Sequence, residues 1–268
     1  MPTRDEPWPA GTPSWVDLMV DDVQQAREFY EALFGWEFQQ GAPESGGYLT
    51  ATKDGGAAAG LGAKPEGQGD VPTMWTTYLE SQDAEATTSA VTAAGGQVVV
   101  PVMDVMGLGR MAVATDPTGA VFGIWQSQTM TGAAVANQDG AYCWNELHTR
   151  DYEGSKEFYA AVFGYRYDQM GDGESFAYST FTAPGQQASC GGINDDTKMP
   201  GEHPPYWLVW FQADDVDSST ARATELGGSV MMGPDDTPFG RMTIVRAPQG
   251  EVFGLIDPTS TTPAPTPG

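Results

Sequence analysis

Residues 15–36 read WVDLMVDDVQQAREFYEALFGW, and residues 144–165 read WNELHTRDYEGSKEFYAAVFGY. The two stretches align without a gap, 129 residues apart, with Trp, Leu, Asp, the Glu-Phe-Tyr run, Ala and the Phe-Gly pair in register. Each copy changes period part-way. Trp15, Asp17 and Met19 alternate with Val16, Leu18 and Val20, as in a strand buried on one face and engaged differently on the other. Asp22 then stands as a helix N-cap, with Val23, Ala26, Phe29, Tyr30, Leu33 and Phe34 along one face and Gly35 as a left-handed stop. In the second copy Asp151 caps, Tyr152, Ser155, Phe158, Tyr159, Val162 and Phe163 form the stripe, and Gly164 ends it.

Working outward, each copy is followed by three more strand-like runs. The first set lies at 37–40, 48–53 and 57–62, with turns at Gly46-Gly47 and Asp54-Gly55-Gly56. After a Pro/Gly linker at 64–72 the order restarts with a strand at 75–80, a helix capped by Asp83 and stopped by Gly95-Gly96, and strands at 97–100, 110–115 and 121–126. The second half repeats this order: strands at 142–149, 166–170, 175–182 and 188–193, a loop at 194–205, then 207–213, a helix over 215–226, and strands at 229–232, 241–246 and 252–256. Late landmarks recur too: Gly95-Gly96 with Gly227-Gly228, Gly109-Arg110-Met111 with Gly240-Arg241-Met242, and Phe122-Gly123 with Phe253-Gly254. The chain thus reads as four βαβββ units in two tandem α+β domains. The expected division is an arm at 1–12, a first domain at 13–128 (units 13–65 and 72–128), a linker at 129–140, a second domain at 141–258 (units 141–195 and 205–258), and a disordered Pro/Thr-rich tail at 259–268.

The formal net charge is −24, with 12 basic against 36 acidic residues. Such a chain has no basic footprint for nucleic acid or an anionic membrane. No apolar run approaches the length of a spanning helix, and the N-terminus has no secretory h-region, so a cytoplasmic protein is expected. Cys143 and Cys190 are the only cysteines. They are too few for a disulfide framework and read as buried small hydrophobes.

A paired βαβββ unit that carries D-x-x-x-A-x-x-F-Y-x-x-x-F-G-[WY] and closes on D-P-x-G resembles the vicinal oxygen chelate superfamily. That family includes glyoxalase I, extradiol dioxygenases and the fosfomycin- and bleomycin-resistance proteins. The matching residues are Asp22 to Trp36 with Asp116 to Gly123, and Asp151 to Tyr165 with Pro248 to Gly254. More narrowly, the chain is similar to tandem glyoxalase/bleomycin-resistance proteins of actinobacteria. The resemblance implies that paired units curl into half-open β-barrels whose interior is the site. It also implies metal-ligand positions, which fall here at Trp15, Thr76 and Gly123 and at Trp144, Leu208 and Gly254. None of these is a usual ligand, and the chain has only two histidines, His148 and His203, so a His-rich metal centre cannot be assembled. No metal ligand and no cofactor are therefore expected, although a weak divalent site on the carboxylates stays open.

The remaining polar candidates sit at inward strand positions. Asp17 and Glu146 follow the repeated tryptophans by two residues, and His148 follows Glu146 by two; these three are the candidate acid–base groups. Trp15, Trp75, Tyr78, Trp144, Trp207 and Trp210 are candidate walls for a flat apolar ligand. Arg110 and Arg241, at matching places, are candidate anchors for an anionic or carbonyl group. The loops at 103–109 and 234–240 occupy equivalent places and are candidate lids. The functional expectation is a protein holding a hydrophobic or aromatic small molecule in a metal-poor cavity, in antibiotic resistance by sequestration or in secondary metabolism. The alternative is an isomerase, cyclase or lyase working through Glu146, Asp17 and His148. A metal-dependent glyoxalase or dioxygenase lacks its ligands. His148 has no counterpart in the first half, where Met19 stands, so the second domain is the better candidate for activity. The expected partner is a small molecule, and the expected state is a monomer with two paired domains or a homodimer.

Overall fold

Both copies of the repeated stretch fold as their periodicity dictates. The computed structural model describes residues 4–67, 69, 71–171, 176–199 and 201–261. The first domain contains β1 (Pro13–Val20), α1 (Val23–Phe34), β2 (Glu37–Gln40), β3 (Leu49–Lys53), β4 (Gly56–Ala63), β5 (Trp75–Glu80), α2 (Ala84–Ala93), β6 (Gln97–Asp104), β7 (Gly109–Thr115) and β8 (Val121–Ser127). The second contains β9 (Tyr142–Thr149), α3 (Tyr152–Phe163), β10 (Arg166–Met170), β11 (Tyr178–Thr182), β12 (Gly191–Asp195), β13 (Tyr206–Gln212), α4 (Val216–Glu225), β14 (Ser229–Thr237), β15 (Gly240–Arg246) and β16 (Val252–Asp257). Asp22, Asp83, Asp151 and Asp215 each cap a helix through their side chains, and Gly35 and Gly164 take the left-handed conformation at φ 65° and 72°.

Each domain is one open eight-stranded mixed sheet, ordered β2-β3-β4-β1-β5-β8-β7-β6 and β10-β11-β12-β9-β13-β16-β15-β14. The opening strands of the two units, β1 with β5 and β9 with β13, pair antiparallel at the centre. The loops expected as lids are the ends of long hairpins: β6 pairs with β7 as far as Asp104–Arg110, and β14 with β15 as far as Thr237–Gly240. Register shifts in β6 and β14 let these strands run on past the expected stops at 100 and 232.

The two sheets turn the same kind of face toward each other. Val16, Leu18 and Val20 face a layer of helices that both sheets share. Phe34 of α1 packs on Phe211 of β13 with ring centroids 4.9 Å apart, and Tyr159 of α3 packs on Phe122 of β8 at 5.6 Å. Tyr30 of α1 donates to Glu251 across the domains at 3.0 Å, and Thr77 of β5 donates to Asn145 of β9 at 2.8 Å. The concave faces therefore point outward, away from each other. The stretch expected as a linker lies tight: Ala133 N–H reaches the Ser14 carbonyl at 2.7 Å and Trp36 Nε1–H the Gly140 carbonyl at 2.6 Å. The arm is also anchored, with Gly11 N–H on the Glu80 carbonyl and Trp8 Nε1–H on the Ala133 carbonyl. Of the expected tail, 262–268 lie outside the described residues. Among the described residues no helix is long and apolar enough to cross a membrane.

Candidate functional site

On the concave face of the second sheet, β9 presents Trp144, Glu146 and His148. Its antiparallel neighbour β13 places Trp210, Leu208 and Tyr206 directly opposite them, so all six point the same way. Asp196, in a short 3₁₀ turn after β12, closes the row. His148 lies between two carboxylates, with Nε2 3.1 Å from Glu146 Oε1 and Nδ1 3.0 Å from Asp196 Oδ1. Burial alone would depress the imidazole, but the hydrogen bonds and charges of Asp196 and Glu146 outweigh it and push His148 up to about 9. Burial would likewise raise Asp196; the bonds from His148 and Asn194 win and hold it below the usual carboxylate range. Tyr206 stacks flat on the imidazole, 4.7 Å between centroids and 4° between planes.

Tyr178 of β11 gives its hydroxyl to Glu146 Oε2 at 2.9 Å and takes a bond from Trp144 Nε1–H at 2.8 Å. Burial and the Glu146 charge keep this phenol protonated. The glycines beneath make the arrangement fit. A Cβ at Gly192 would overlap the Tyr178 hydroxyl, and one at Gly254 would overlap the Trp210 ring. His203, the other histidine of the chain, sits 3.4 Å from Asp196 Oδ2 and edge-on to Tyr206. It also lines a cavity of about 260 Å³ with Thr118, Thr149, Arg150, Asp151 and Pro205. A line of polar contacts thus runs from that cavity through His203, Asp196 and His148 to Glu146.

The first sheet repeats the plan with different chemistry. Trp15 Nε1–H donates to the Tyr48 hydroxyl at 3.0 Å, and Tyr48 and Tyr78 both donate to Asp17 Oδ2, at 3.3 and 3.1 Å. Burial pushes Asp17 up to about 7 against the hydroxyls of Tyr78, Tyr48 and Thr76.

The structure brings Glu146, His148, Trp144 and Trp210 together, and Asp17, Trp15 and Tyr78 together on the other sheet. It separates the two sets, so Asp17 cannot act on the same molecule as Glu146 and His148. Trp75 and Trp207 face the helices instead of the cavity, bonded to Tyr30 and Tyr159, because each lies an odd number of residues from the inward Tyr78 or Trp210 on its strand. Arg110 and Arg241 also turn away from the site: Arg110 pairs with Glu85 of α2 at 2.7 Å, and Arg241 with Asp217 of α4 and Asp236, each at 2.7 Å. Asp196, Tyr178, Tyr48 and Tyr206 were not singled out in the sequence. Burial pushes Cys143 up to about 12 and Cys190 up to about 11, so neither is a thiolate nucleophile.

The positions implied for a metal do not fit one. Trp15 and Gly123 flank the Tyr78 ring, Thr76 faces Asp17, Leu208 faces Glu146 and Gly254 underlies Trp210. Both nitrogens of His148 are already engaged by carboxylates, Nε2 with Glu146 and Nδ1 with Asp196. Among the described residues no group of three or more His, Cys, Asp or Glu is arranged around a metal position.

Residues 12–124 and 144–255 each match the model of the Glyoxalase/Bleomycin resistance protein/Dioxygenase superfamily. The chain is 38% identical over 262 residues to the protein named "Putative glyoxylase CFP32" of Mycobacterium tuberculosis, covering 96% of this chain and 98% of that one. It is 36% identical over 264 residues to the anthracycline biosynthesis protein DnrV of Streptomyces peucetius, covering 92% and 93%. Among solved structures, the Mn(II)-bound glyoxalase from Novosphingobium aromaticivorans superposes with a TM-score of 0.64 at 18% identity, over 96% of this chain and 89% of that one. 2,2',3-trihydroxybiphenyl 1,2-dioxygenase from Sphingomonas wittichii gives a TM-score of 0.63 at 14% identity, over 92% and 90%. With both halves matched and more than nine-tenths of its length shared with these relatives, the chain belongs to the glyoxalase/bleomycin resistance protein/dioxygenase superfamily, as two tandem domains of that fold.

Proposed function

We propose that the second domain binds a planar aromatic small molecule on its concave face and moves a proton on it without a metal. The observation that carries this reading is the buried Glu146–His148–Asp196 row. Burying two carboxylates and an imidazolium costs several kcal/mol per ion before pairing repays it. A cup that only sequesters an apolar ring has no need of such a row, whereas a proton-transfer site does. Trp144, Tyr206 and Trp210 offer aromatic walls on the same face. Glu146, which each neighbour bonds through only one lone pair, is the group placed to take or give the ligand proton, and His148 with Asp196 balances the charge that results. The relationship to proteins named for anthracycline biosynthesis supports a polycyclic aromatic ligand, and that to a protein named as a glyoxylase supports carbonyl chemistry.

Two probes test this. Quinizarin, a neutral planar anthraquinone, should quench tryptophan fluorescence on binding. β-Tetralone, an enolisable aryl ketone, should exchange its acidic C–H for deuterium faster with the protein than without it, as read by NMR. Glu146→Gln should keep quinizarin binding and lose the exchange by about a hundredfold or more. Exchange that persists in the variant sinks the proton-transfer role, and a wild-type protein that ignores both probes sinks the reading as a whole.

A further inference from the structure

On the helix-facing side of β9, Asn145 occupies the place that Val16 holds in β1, 129 residues earlier. Val16 pairs across its sheet with Thr77 of β5, and Asn145 across its own with Val209 of β13. The Thr77 hydroxyl donates to Asn145 Oδ1 at 2.8 Å. A polar pair thus joins the two sheets where the equivalent pair, Val209 and Val16, is apolar and fully buried. That bond engages the Asn145 oxygen. Its amide nitrogen donates to none of the described residues, although Asn145 is only 1% exposed. A buried amide N–H without an acceptor is costly, and a fold keeps one where something outside the chain meets it.

Asn145 lines a cavity of about 310 Å³, bounded by Trp8 of the arm and Pro13 at the start of β1 on one side and by Tyr142, Ala188 and Ser189 of the second domain on the other. Asn145 is one residue from Glu146, so it lies on the side of β9 away from the concave face. The hydroxyls around the cavity are engaged within the chain: Tyr142 donates to the Pro13 carbonyl, Thr12 to the Pro9 carbonyl and Ser189 to Thr180. The thiols of Cys143 and Cys190 turn to the carbonyls of Trp210 and Phe181. Among the buried lining residues, the Asn145 amide alone keeps unused hydrogens. Arg4 lies over the Trp8 ring at 4.7 Å and adds a positive edge that suits an acceptor. Its charge already acts on buried Glu80, so no anion is needed to balance it.

We propose that this cavity is a second small-molecule site, separate from the concave faces, and that it takes a small neutral planar molecule whose carbonyl oxygen accepts from Asn145 Nδ2 and whose ring lies against Trp8 and Tyr142. The volume is at the small end of the roughly 300–1,000 Å³ of ligand cavities, which suits one or two fused rings. The site needs nothing of proton transfer in the second domain.

Isothermal titration of the full chain with coumarin, a two-ring lactone, tests this, with 2H-chromene as the same bicycle lacking the carbonyl. Wild type should bind coumarin, and chromene about tenfold more weakly. Thr77→Val combined with Asn145→Val copies the apolar pair of the equivalent place, so it should fold, and it should bring coumarin down to the chromene affinity. Ala188→Phe fills the cavity from an exposed loop position and should remove binding of both. Glu146→Gln should leave coumarin affinity unchanged. No uptake of coumarin, or uptake that ignores either the double variant or Ala188→Phe, overturns the proposal. Equal affinity for the two bicycles overturns the role of Asn145. Uptake that answers only to Glu146→Gln belongs to the concave face and also overturns the proposal. Failure of the quinizarin and tetralone probes, by contrast, leaves this site standing.

Discussion

Asparagine in place of Asp17 keeps the shape of the side chain and removes its titration, so the pH dependence of stability isolates one group. Burial pushes the folded carboxyl up to about 7 from its ordinary 3.8. Between those values the folded chain holds a proton that the unfolded chain has released. Stability from this group is therefore intact below 3.8 and lost as pH rises through 7. At about 1.4 kcal/mol per pH unit the whole span is worth about 4 kcal/mol, of which about 3 kcal/mol falls between about pH 5 and about pH 8. For a chain of this size, about 2 °C in Tm corresponds to each kcal/mol. Scanning calorimetry of D17N and wild type at fixed ionic strength should show the variant gaining about 6 °C on wild type across that pH range. A Tm gap that stays flat with pH, or narrows, would refute a neutral buried Asp17 and the desolvation argument behind it.

Other perturbations follow the same logic. His148→Gln should flatten a loss of stability that wild type shows as pH rises from 6.5 through about 9, because the raised imidazole stabilises the fold fully below 6.5 and releases its proton near 9; pH-dependent urea melts measure it. Gly192→Ala should displace Tyr178 from Glu146, cost about 1–3 kcal/mol in urea melts and weaken quinizarin binding. Tyr30→Phe strips the donor from buried Glu251 and the acceptor from Trp75, and should cost about 1–3 kcal/mol in the same assay. Arg241→Ala should leave quinizarin affinity unchanged in fluorescence titration, since its guanidinium serves Asp217 and Asp236 outside the site.

The repeated strand–helix stretch made the fold legible, because period and capping are local properties. The three caps read from the sequence, Asp22, Asp83 and Asp151, perform as their positions imply, and Asp215, read there as the first residue of its helix, caps the fourth. The inward placement of Asp17, Glu146 and His148 was legible too, since alternation on one strand fixes it. The same rule, applied to Trp75 and Tyr78, forbids both from facing the cavity, and applied to Trp207 and Trp210 it does so again. Asp196 was hidden for a different reason. It meets His148 from 48 residues away through a turn read as plain loop, and no spacing announces such a contact. A fainter signal did exist for the tyrosines: Tyr48 precedes Gly60, and Tyr178 precedes Gly192, at nearly the same distance in both halves.

The helix layer belongs to neither half alone. α1 grows from the first copy and packs on Phe211 and Phe253 of the second, while α3 grows from the second and packs on Phe122 of the first. Two separate copies of one ancestral half could exchange these contacts about a twofold axis, as a symmetric dimer does. Within one chain the two halves need not be identical. What holds the pair together lies on the inner, helix-facing sides of the sheets, and the candidate site residues lie on the opposite sides. Met19 against His148, and Tyr78 against Trp210, are substitutions that the inner faces never register. One sheet carries the Glu146–His148–Asp196 row and the other a buried carboxyl bonded by two phenols, and both differences sit on a single shared helix layer.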